Sequence, residues 1–331
     1  MRINGHRALL ACAVVAAACS HAMAQSPATP KRLGILAGTS CPAPNGPALW
    51  KPLLANLAGR GWIEGQTLIV DCVLAGGRLE QAPALAVELV ARRPDVLLGA
   101  STPTVRALKQ ASATIPIVTV ASDPLRSGLV SSLAHPDGNV TGLSPMSFDL
   151  VTKRVELLKA IVPRLSRLAI IYRKNADPID HEQMEKDLAG AAGSLGISWR
   201  VFYPAAADDI EPIFARLGAD GFDAAYVLTN PVTYANRKQI AQTALKYRIP
   251  TVSEASDYAR DGILLTYGLN TPRLVEGAAE YIDKLLRGAK PAELPLQQAT
   301  TVELVINLKT AKALGLSVPP AILARSEDVI E

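Results

Sequence analysis

The chain has little of what many enzymes and nucleic-acid-binding proteins need. Its four histidines are dispersed along the 331 residues, and none is spaced as one of a pair of metal ligands. It contains no G-x-x-x-x-G-K-[ST] phosphate loop, no G-x-S-x-G nucleophile elbow and no G-x-G-x-x-G after a strand. A formal net charge of +4, with no basic cluster, gives no reason to expect nucleic acid as a partner. We therefore expect no enzyme activity, no metal and no cofactor.

Long apolar runs are also missing, except at the N-terminus. A positively charged start precedes the run ALLACAVVAAAC, which is too short for a comfortable membrane span. The small-x-small pattern at residues 22–24 then predicts a secretory signal peptide over residues 1–24, and hence a soluble protein in the periplasm. A lipoprotein anchored at Cys19 is the alternative, although residues 16–18 lack the large aliphatic residue usual at such sites.

Cysteine is scarce, and two of the four cysteines would leave with the signal peptide. The other two, Cys41 and Cys72, would lie in an oxidising compartment. One follows the first predicted strand and the other ends the second, and these strands are neighbours in a doubly wound sheet. This geometry favours a disulfide, with two buried free thiols as the alternative.

What the sequence does contain is an alternation of short β-branched strands and helices, which indicates parallel sheets covered on both faces. One unit occurs twice, in residues 95–123 and 223–257: a strand, a polar turn, a helix, a second strand and a polar tip. The step from the first Asp to the Pro of the turn is eight residues in both copies. Two similar α/β lobes are therefore predicted, with residues 125–133 as a short helix after the first copy.

Polar side chains at the strand ends are the candidates for ligand binding, because ligands of open parallel sheets bind beyond the carboxyl ends of the strands. Ser101 and Thr102 begin a helix, whose free N–H groups and positive dipole end suit a carboxylate. Asp123 or Glu254 could pair with an ammonium group. The full candidate set is Thr39, Ser40, Ser101, Thr102, Ser122, Asp123, Asn175, Asn230, Glu254 and the aromatic Tyr267.

Each candidate also has a purely structural interpretation. Ser101 or Thr102 could cap its helix without touching a ligand, and Asp123 could be an acidic cap on the helix that follows it. For Asp257 we expect the capping role. Aromatic residues near the strand ends, such as Trp50, could stack on a flat ligand or belong to the core.

Six long motifs carry a resemblance to a known family: GWIEGQTLIVD, STPTVRALKQASATIPIV, SDPLRSGLVSSLAHPDGNVTGLS, KRVELLKAIVP, LTYGLN and ELVINLKTAKALGLSVPPAILARSEDVI. The chain is similar to the ABC-transporter substrate-binding proteins of the tryptophan/tyrosine-binding type. This resemblance implies the type I periplasmic binding protein fold, with two Rossmann-like lobes, parallel sheets and three hinge segments. Residues 31–143 with 269–298 would form the N-terminal lobe, and residues 144–268 with 299–331 the C-terminal lobe. The lobes would close about Gly142 and Gly268.

The resemblance also implies a function. A monomer would clamp a small ligand, an amino acid (often aromatic in the family) or a related small carboxylate, and deliver it to an ABC permease in the inner membrane. The positions that match family ligand contacts are Ser101, Thr102, Ser122 and Asp123 in one lobe and Asn175, Asn230 and Glu254 in the other.

The chain departs from the family at several points, so the ligand stays open. Ser122-Asp123-Pro124 stands where relatives commonly have Gly-Asp-Pro, and the Cys41/Cys72 pair is not a general feature. Two other functions stay open as well. One is a ligand-sensing protein for a membrane receptor, and the other is a secreted α/β hydrolase with Asp123 or Glu254 as general base.

Overall fold

Two mostly parallel β-sheets, each with apolar clusters on both of its faces, form the protein. The computed structural model describes residues 29–38, 40–42, 50–121, 123–145, 150–172, 178–299 and 302–331. Within these ranges, no helix combines the length and the apolar character that a bilayer crossing requires. The predicted two-lobe α/β architecture is confirmed.

The first lobe is built on a six-stranded sheet whose described neighbours are all parallel. Its strands are β1 (Lys31–Ala37), β2 (Leu68–Leu74), β3 (Val96–Gly99), β4 (Ile117–Thr119), β5 (Val140–Pro145) and β11 (Gln297–Ala299). Its helices are α1 (Lys51–Gly59), α2 (Ala82–Ala91), α3 (Thr102–Ala111) and α10 (Thr271–Leu286). The strand order is β11-β5-β4-β3-β1-β2.

The second lobe is built on a seven-stranded sheet in the order β13-β12-β10-β9-β8-β6-β7, in which β12 runs antiparallel to β10. Its strands are β6 (Arg167–Ile171), β7 (Ser198–Phe202), β8 (Ala224–Val227), β9 (Thr251–Ser253), β10 (Leu265–Leu269), β12 (Val302–Asn307) and β13 (Asp328–Ile330). Its helices are α4 (Val151–Ile161), α5 (Pro178–Ser194), α6 (Ile210–Ala219), α7 (Pro231–Ala235), α8 (Arg237–Lys246), α9 (Ser256–Arg260), α11 (Leu308–Leu314) and α12 (Pro320–Leu323).

The chain passes between the sheets after β5, β10 and β11, which corrects the predicted hinge positions. Gly142 and Gly268 were expected in the connections, but they lie inside paired strands, opposite Thr119 and Glu303 respectively. Residues 146–149, which follow β5, and residues 300–301, which follow β11, lie outside the described residues. The exact assignment of residues to lobes stays a prediction.

Residues 125–133 form a series of turns instead of the predicted short helix. Two side chains from α3 hold this segment in place: Arg106 donates to the carbonyl of Ser127 and Lys109 to that of Leu129, both at 2.7 Å. Gly128, with φ of +69°, interrupts a helical path.

Cys41 and Cys72 form a disulfide, with their Cα atoms 5.8 Å apart. The bond joins the segment after β1 to β2, and Ile35 is the direct partner of Cys72 in this strand pair. The disulfide predicted from neighbouring strands is therefore confirmed.

Removing this disulfide should lower stability. With 31 residues of sequence separation between the cysteines, the chain-entropy relation gives about 4 kcal/mol for its loss. We expect a reductant to lower the melting temperature of the wild type but not that of a Cys41→Ser/Cys72→Ser variant, as measured by calorimetry. Equal responses of the two proteins would contradict the assignment.

Replacing Gly142 by alanine should destabilise the protein, because neither its backbone conformation nor its surroundings accommodate a Cβ. Its φ is +133°, and an added Cβ would lie 2.3 Å from the carbonyl oxygen of Thr119. We expect Gly142→Ala to reduce the free energy of unfolding by about 2–4 kcal/mol. Gly190→Ala is the matched control: this glycine lies within α5 with open space around it, so the substitution should add roughly 0.5–1 kcal/mol. Chemical denaturation of both variants checks the sign of each change.

Candidate functional site

The predicted site residues that the structure describes lie mostly at the carboxyl ends of parallel strands. In the first lobe Ser40 follows β1, Ser101 follows β3 and Asp123 follows β4; in the second lobe Asn230 follows β8 and Glu254 follows β9. Parallel strands end at one edge of their sheet, so each lobe collects its candidates on one edge. Thr39, Ser122 and Asn175 lie outside the described residues.

Contacts join the two lobes near these edges. Gly77, after β2, is so close to the first turn of α7 that a Cβ added to it would lie 3.9 Å from Val232 Cγ2. Arg126, in the turns after β4, lies 3.4 Å from Asp187 on α5, measured from Nη1 to Oδ2. Both contacts join the first lobe to the second, so a ligand between the strand ends could touch both.

The first-lobe edge presents the N-terminus of α3. Ser101 is the N-cap, with extended backbone at φ of −154°, and its N–H donates to Thr104 Oγ1 at 3.1 Å. The Thr104 hydroxyl donates back to the Ser101 carbonyl at 2.8 Å, which fixes the turn. Thr102 has a buried side chain. Ser101 thus occupies the N-cap position at the positive end of α3, and contact of either residue with a ligand stays a prediction.

Asp123 is engaged locally. Its Oδ1 accepts from the Arg126 N–H at 3.1 Å, and its Oδ2 lies 3.3 Å from Arg126 Nε. The expected role as an acidic cap on a following helix is wrong, because residues 125–133 are not helical, and Asp123 instead holds a turn. Its contact with a ligand stays a prediction.

The edge after β1 is held by Trp50. Its indole Nε1–H donates to the carbonyl of Ser40 at 2.9 Å, and its ring is buried in the first-lobe core. Trp50 is therefore a core residue that fixes the position of Ser40, and its ring does not line the cleft.

Glu254 is the acid presented by the second lobe. Three donors hold its carboxylate: the Thr229 N–H to Oε2 at 3.0 Å, the Tyr226 hydroxyl to Oε1 at 3.1 Å and Arg154 Nη1 to Oε1 at 3.5 Å. The side chain keeps 18% of its surface exposed. A fixed and partly exposed carboxylate is suited to receive a cation or a hydrogen-bond donor.

Arg154 and Tyr226 are the two residues that sequence reasoning missed. Arg154 is 1% exposed, and besides Glu254 it contacts the Tyr226 hydroxyl at 2.9 Å and the Tyr267 carbonyl at 2.6 Å. Burial raises the pKa of Tyr226 well above its usual range, so it stays a neutral donor. A sequence signal existed: Arg154 stands in the apolar stripe of Val151, Val155 and Leu158 on α4. An arginine in such a stripe needs a buried acceptor.

Arg154, Tyr226 and Glu254 form a buried polar network, and Gly268 allows β10 to lie against it. A Cβ added there would be 2.1 Å from the Glu254 carbonyl oxygen and 3.2 Å from Arg154 Nη2. The absence of a side chain is therefore required by close approach. Tyr267, the neighbouring candidate, is half-buried and packs against the second-lobe core.

Asn230 caps α7 through Oδ1, which accepts from the N–H groups of Val232 and Thr233 at 2.9 and 3.1 Å. Its Nδ2, in contrast, is buried and has no hydrogen-bond partner among the described residues. Such a group costs free energy unless a water molecule or a ligand accepts from it. Asn230 is therefore a further donor available at this edge.

Asp257 does not cap α9 by a hydrogen bond, because the N-cap is Ala255, but its charge lies at the positive end of the helix. It lies in the first turn of α9, pairs with Arg260 at 3.6 Å and accepts from the Tyr234 hydroxyl at 2.5 Å. Burial raises the pKa of Tyr234, which keeps this hydroxyl protonated. Within the described residues, no three His, Cys, Asp or Glu side chains are grouped as metal ligands would be.

Tyr226→Phe should test the network without changing its shape. The substitution leaves buried Arg154 and Glu254 without the hydroxyl between them, so we expect a loss of about 1–3 kcal/mol in the free energy of unfolding. The control is Tyr203→Phe, whose exposed hydroxyl lies 3.3 Å from Glu185; it should change stability by less than about 0.5 kcal/mol. Similar losses in both variants would show that the buried Tyr226 hydroxyl contributes no more to the free energy of unfolding than an exposed one does.

Comparison with known proteins identifies relatives along most of the chain. The model of the family described as ABC transporter substrate binding protein matches residues 48–330. The "Tyrosine-binding protein" of Clostridioides difficile (strain R20291) is 24% identical over 267 residues, which are 80% of this chain and 76% of that protein.

Solved structures with the same fold are also found. A conserved domain protein from Vibrio cholerae is 29% identical with a TM-score of 0.81, covering 91% of this chain and 100% of its own. A Streptococcus pneumonia ABC domain in complex with L-Trp is 24% identical with a TM-score of 0.79, over the same shares. These likenesses confirm the fold that the sequence motifs implied.

Proposed function

We propose a function from one premise: this chain belongs to the family of ABC transporter substrate-binding proteins. Members of such a family bind a solute and pass it to a membrane permease; they are not a class of enzyme. Our proposal is that the solute is an α-amino acid with an aromatic side chain, clamped between the two lobes. The chain would act in the periplasm after removal of residues 1–24. A monomer suffices, because one chain carries both edges of the cleft.

The observation that carries the proposal is Glu254, a fixed carboxylate on the edge that faces the first lobe. Opposite it, the N-terminus of α3 offers N–H groups and a positive dipole end. An α-amino acid carries an ammonium and a carboxylate on one carbon atom, so it can satisfy both edges at once. The unpartnered Nδ2 of Asn230 adds a donor for the ligand's carboxylate or for a side-chain acceptor.

The relatives support the aromatic part of the proposal. One is called a tyrosine-binding protein, and one structural neighbour was crystallised with L-Trp. The disulfide between Cys41 and Cys72 supports the compartment, because such bonds persist in oxidising settings such as the periplasm.

Glu254→Gln should separate this proposal from a site for uncharged solutes. We expect L-tyrosine or L-tryptophan to raise the melting temperature of the wild type, since at 100 times Kd binding adds about 2.7 kcal/mol. The variant keeps the shape of the side chain but loses its charge. Its Kd for the same amino acid should rise by about 30-fold or more, because removing one partner of a buried charge pair costs about 2–5 kcal/mol. Isothermal calorimetry measures both Kd values.

The matched control is Glu156→Gln. This glutamate is exposed on α4 and pairs with Lys153 at 3.0 Å, away from the network. It should leave the Kd unchanged. Retention of wild-type affinity in Glu254→Gln would contradict the ammonium contact, and the absence of any amino-acid response in the wild type would contradict the ligand class.

A further inference from the structure

We propose that Arg154 makes the site selective for the zwitterionic amino acid over the amine that lacks its carboxylate. Arg154 would be a positioning residue that acts through Glu254 and does not touch the ligand. The inference rests on the proposed function, since it assumes that Glu254 receives the ligand's ammonium group.

Arg154 is too deeply buried to offer a ligand a surface for direct contact. It is 1% exposed, and its described partners are Glu254, the Tyr226 hydroxyl and the Tyr267 carbonyl. Its charge nevertheless lies 3.5 Å from Oε1 of the Glu254 carboxylate. A charge at this depth still acts on a ligand beyond Glu254, because Coulomb interactions are weakly screened below the surface.

The charge balance gives Arg154 its proposed effect. Glu254 alone would give the second-lobe edge one negative charge, whereas Glu254 with Arg154 is neutral. The first-lobe edge carries the partial positive charge of the α3 N-terminus. A zwitterion matches this field, with its carboxylate near the positive end. An amine keeps only the ammonium, which both Arg154 and the helix end repel.

The other acids of these edges are matched within their own lobes. Asp123 lies 3.3 Å from Arg126, and Asp257 lies 3.6 Å from Arg260. The tyrosines around Glu254 are Tyr226 and Tyr258, and burial raises the pKa of both, so both remain neutral. Arg154 is thus the cation that compensates Glu254.

The internal repeat shows that the fold does not require this network. Counted from the first Asp of each copy, Tyr226 corresponds to Leu98; counted from the Ile-Pro, Glu254 corresponds to Val120. Leu98 and Val120 are both buried in the apolar core of the first lobe. The same unit therefore packs with two aliphatic residues in one copy and with a polar network in the other. Buried ion pairs add little stability over such apolar pairs, which argues for a role in binding.

Arginine suits this role better than lysine. Its planar guanidinium offers five N–H donors in fixed directions, and here it serves a carboxylate, a hydroxyl and a carbonyl at once. A lysine would carry the charge without holding all three acceptors. Charge and positioning can therefore be separated by substitution.

The test compares L-tyrosine with tyramine, and L-tryptophan with tryptamine, by calorimetry on four proteins. These are the wild type, Arg154→Met, Arg154→Lys and the double variant Arg154→Met/Glu254→Gln. The readout is the ratio of the amine's Kd to the amino acid's Kd. We expect this ratio to fall by about tenfold or more in Arg154→Met, which is the effect of one unit charge several ångströms away near a protein surface. Arg154→Lys should restore most of the wild-type ratio.

The controls separate the possible failures. The double variant should bind neither compound well, because Glu254 is absent, and its melting temperature should recover part of what Arg154→Met loses. A folded Arg154→Met protein with the wild-type ratio would overturn the inference while leaving the proposed function intact. Weak binding of both amino acids to the wild type would overturn the proposed function itself. If Arg154→Met does not fold, the ratio in Arg154→Lys decides: a lysine that keeps the charge must keep the selectivity.

Discussion

A full positive charge is buried beneath the carboxyl edge of the second sheet, and the residues around it are arranged to neutralise it. Arg154 comes from α4, while its partners come from three neighbouring strands: Tyr226 in β8, Glu254 after β9 and Tyr267 in β10. One side chain thereby ties one helix to three neighbouring strands. Gly268 completes the arrangement, because only a residue without Cβ lets β10 come this close. The edge that faces the cleft is consequently held as one unit.

In the first lobe, hydrogen bonds and a disulfide fix the segments that follow the strands. Ser101 and Thr104 fix the start of α3 through mutual backbone and hydroxyl bonds. Trp50 holds the carbonyl of Ser40, and the disulfide holds the neighbouring Cys41 against β2. None of these interactions places a full charge at the edge. The lobe offers the cleft a helix dipole and backbone N–H groups, and the second lobe offers a carboxylate.

The sequence predicted those features whose causes are local. The alternation of strands and helices, the repeated unit, the cap at Ser101 and the disulfide between neighbouring strands all follow from short patterns. The Arg154–Glu254 contact does not, because it joins residues 100 positions apart through the packing of α4 on β9. The sequence showed an arginine in an apolar stripe but not its partner. Gly142 was recognised as important for the wrong reason, since close approach of strands leaves no local pattern. Residues 125–133 form turns instead of a helix, and the left-handed conformation of Gly128 interrupts a helical path there.

The two copies of the repeated unit allow the polar network of the second lobe to be compared with the apolar packing at the same positions of the first. Where the first copy buries Leu98 and Val120, the second buries Tyr226 and leaves Glu254 partly exposed over Arg154. Since the same backbone accepts the apolar pair, the polar network is not needed to form the unit. Desolvating Arg154 opposes folding, and its partners offset that loss without a large net gain. A charge kept at such cost is best explained by what it does to a ligand. The lobe with the simpler edge also carries the disulfide, so the covalent crosslink and the buried ion pair lie in different lobes.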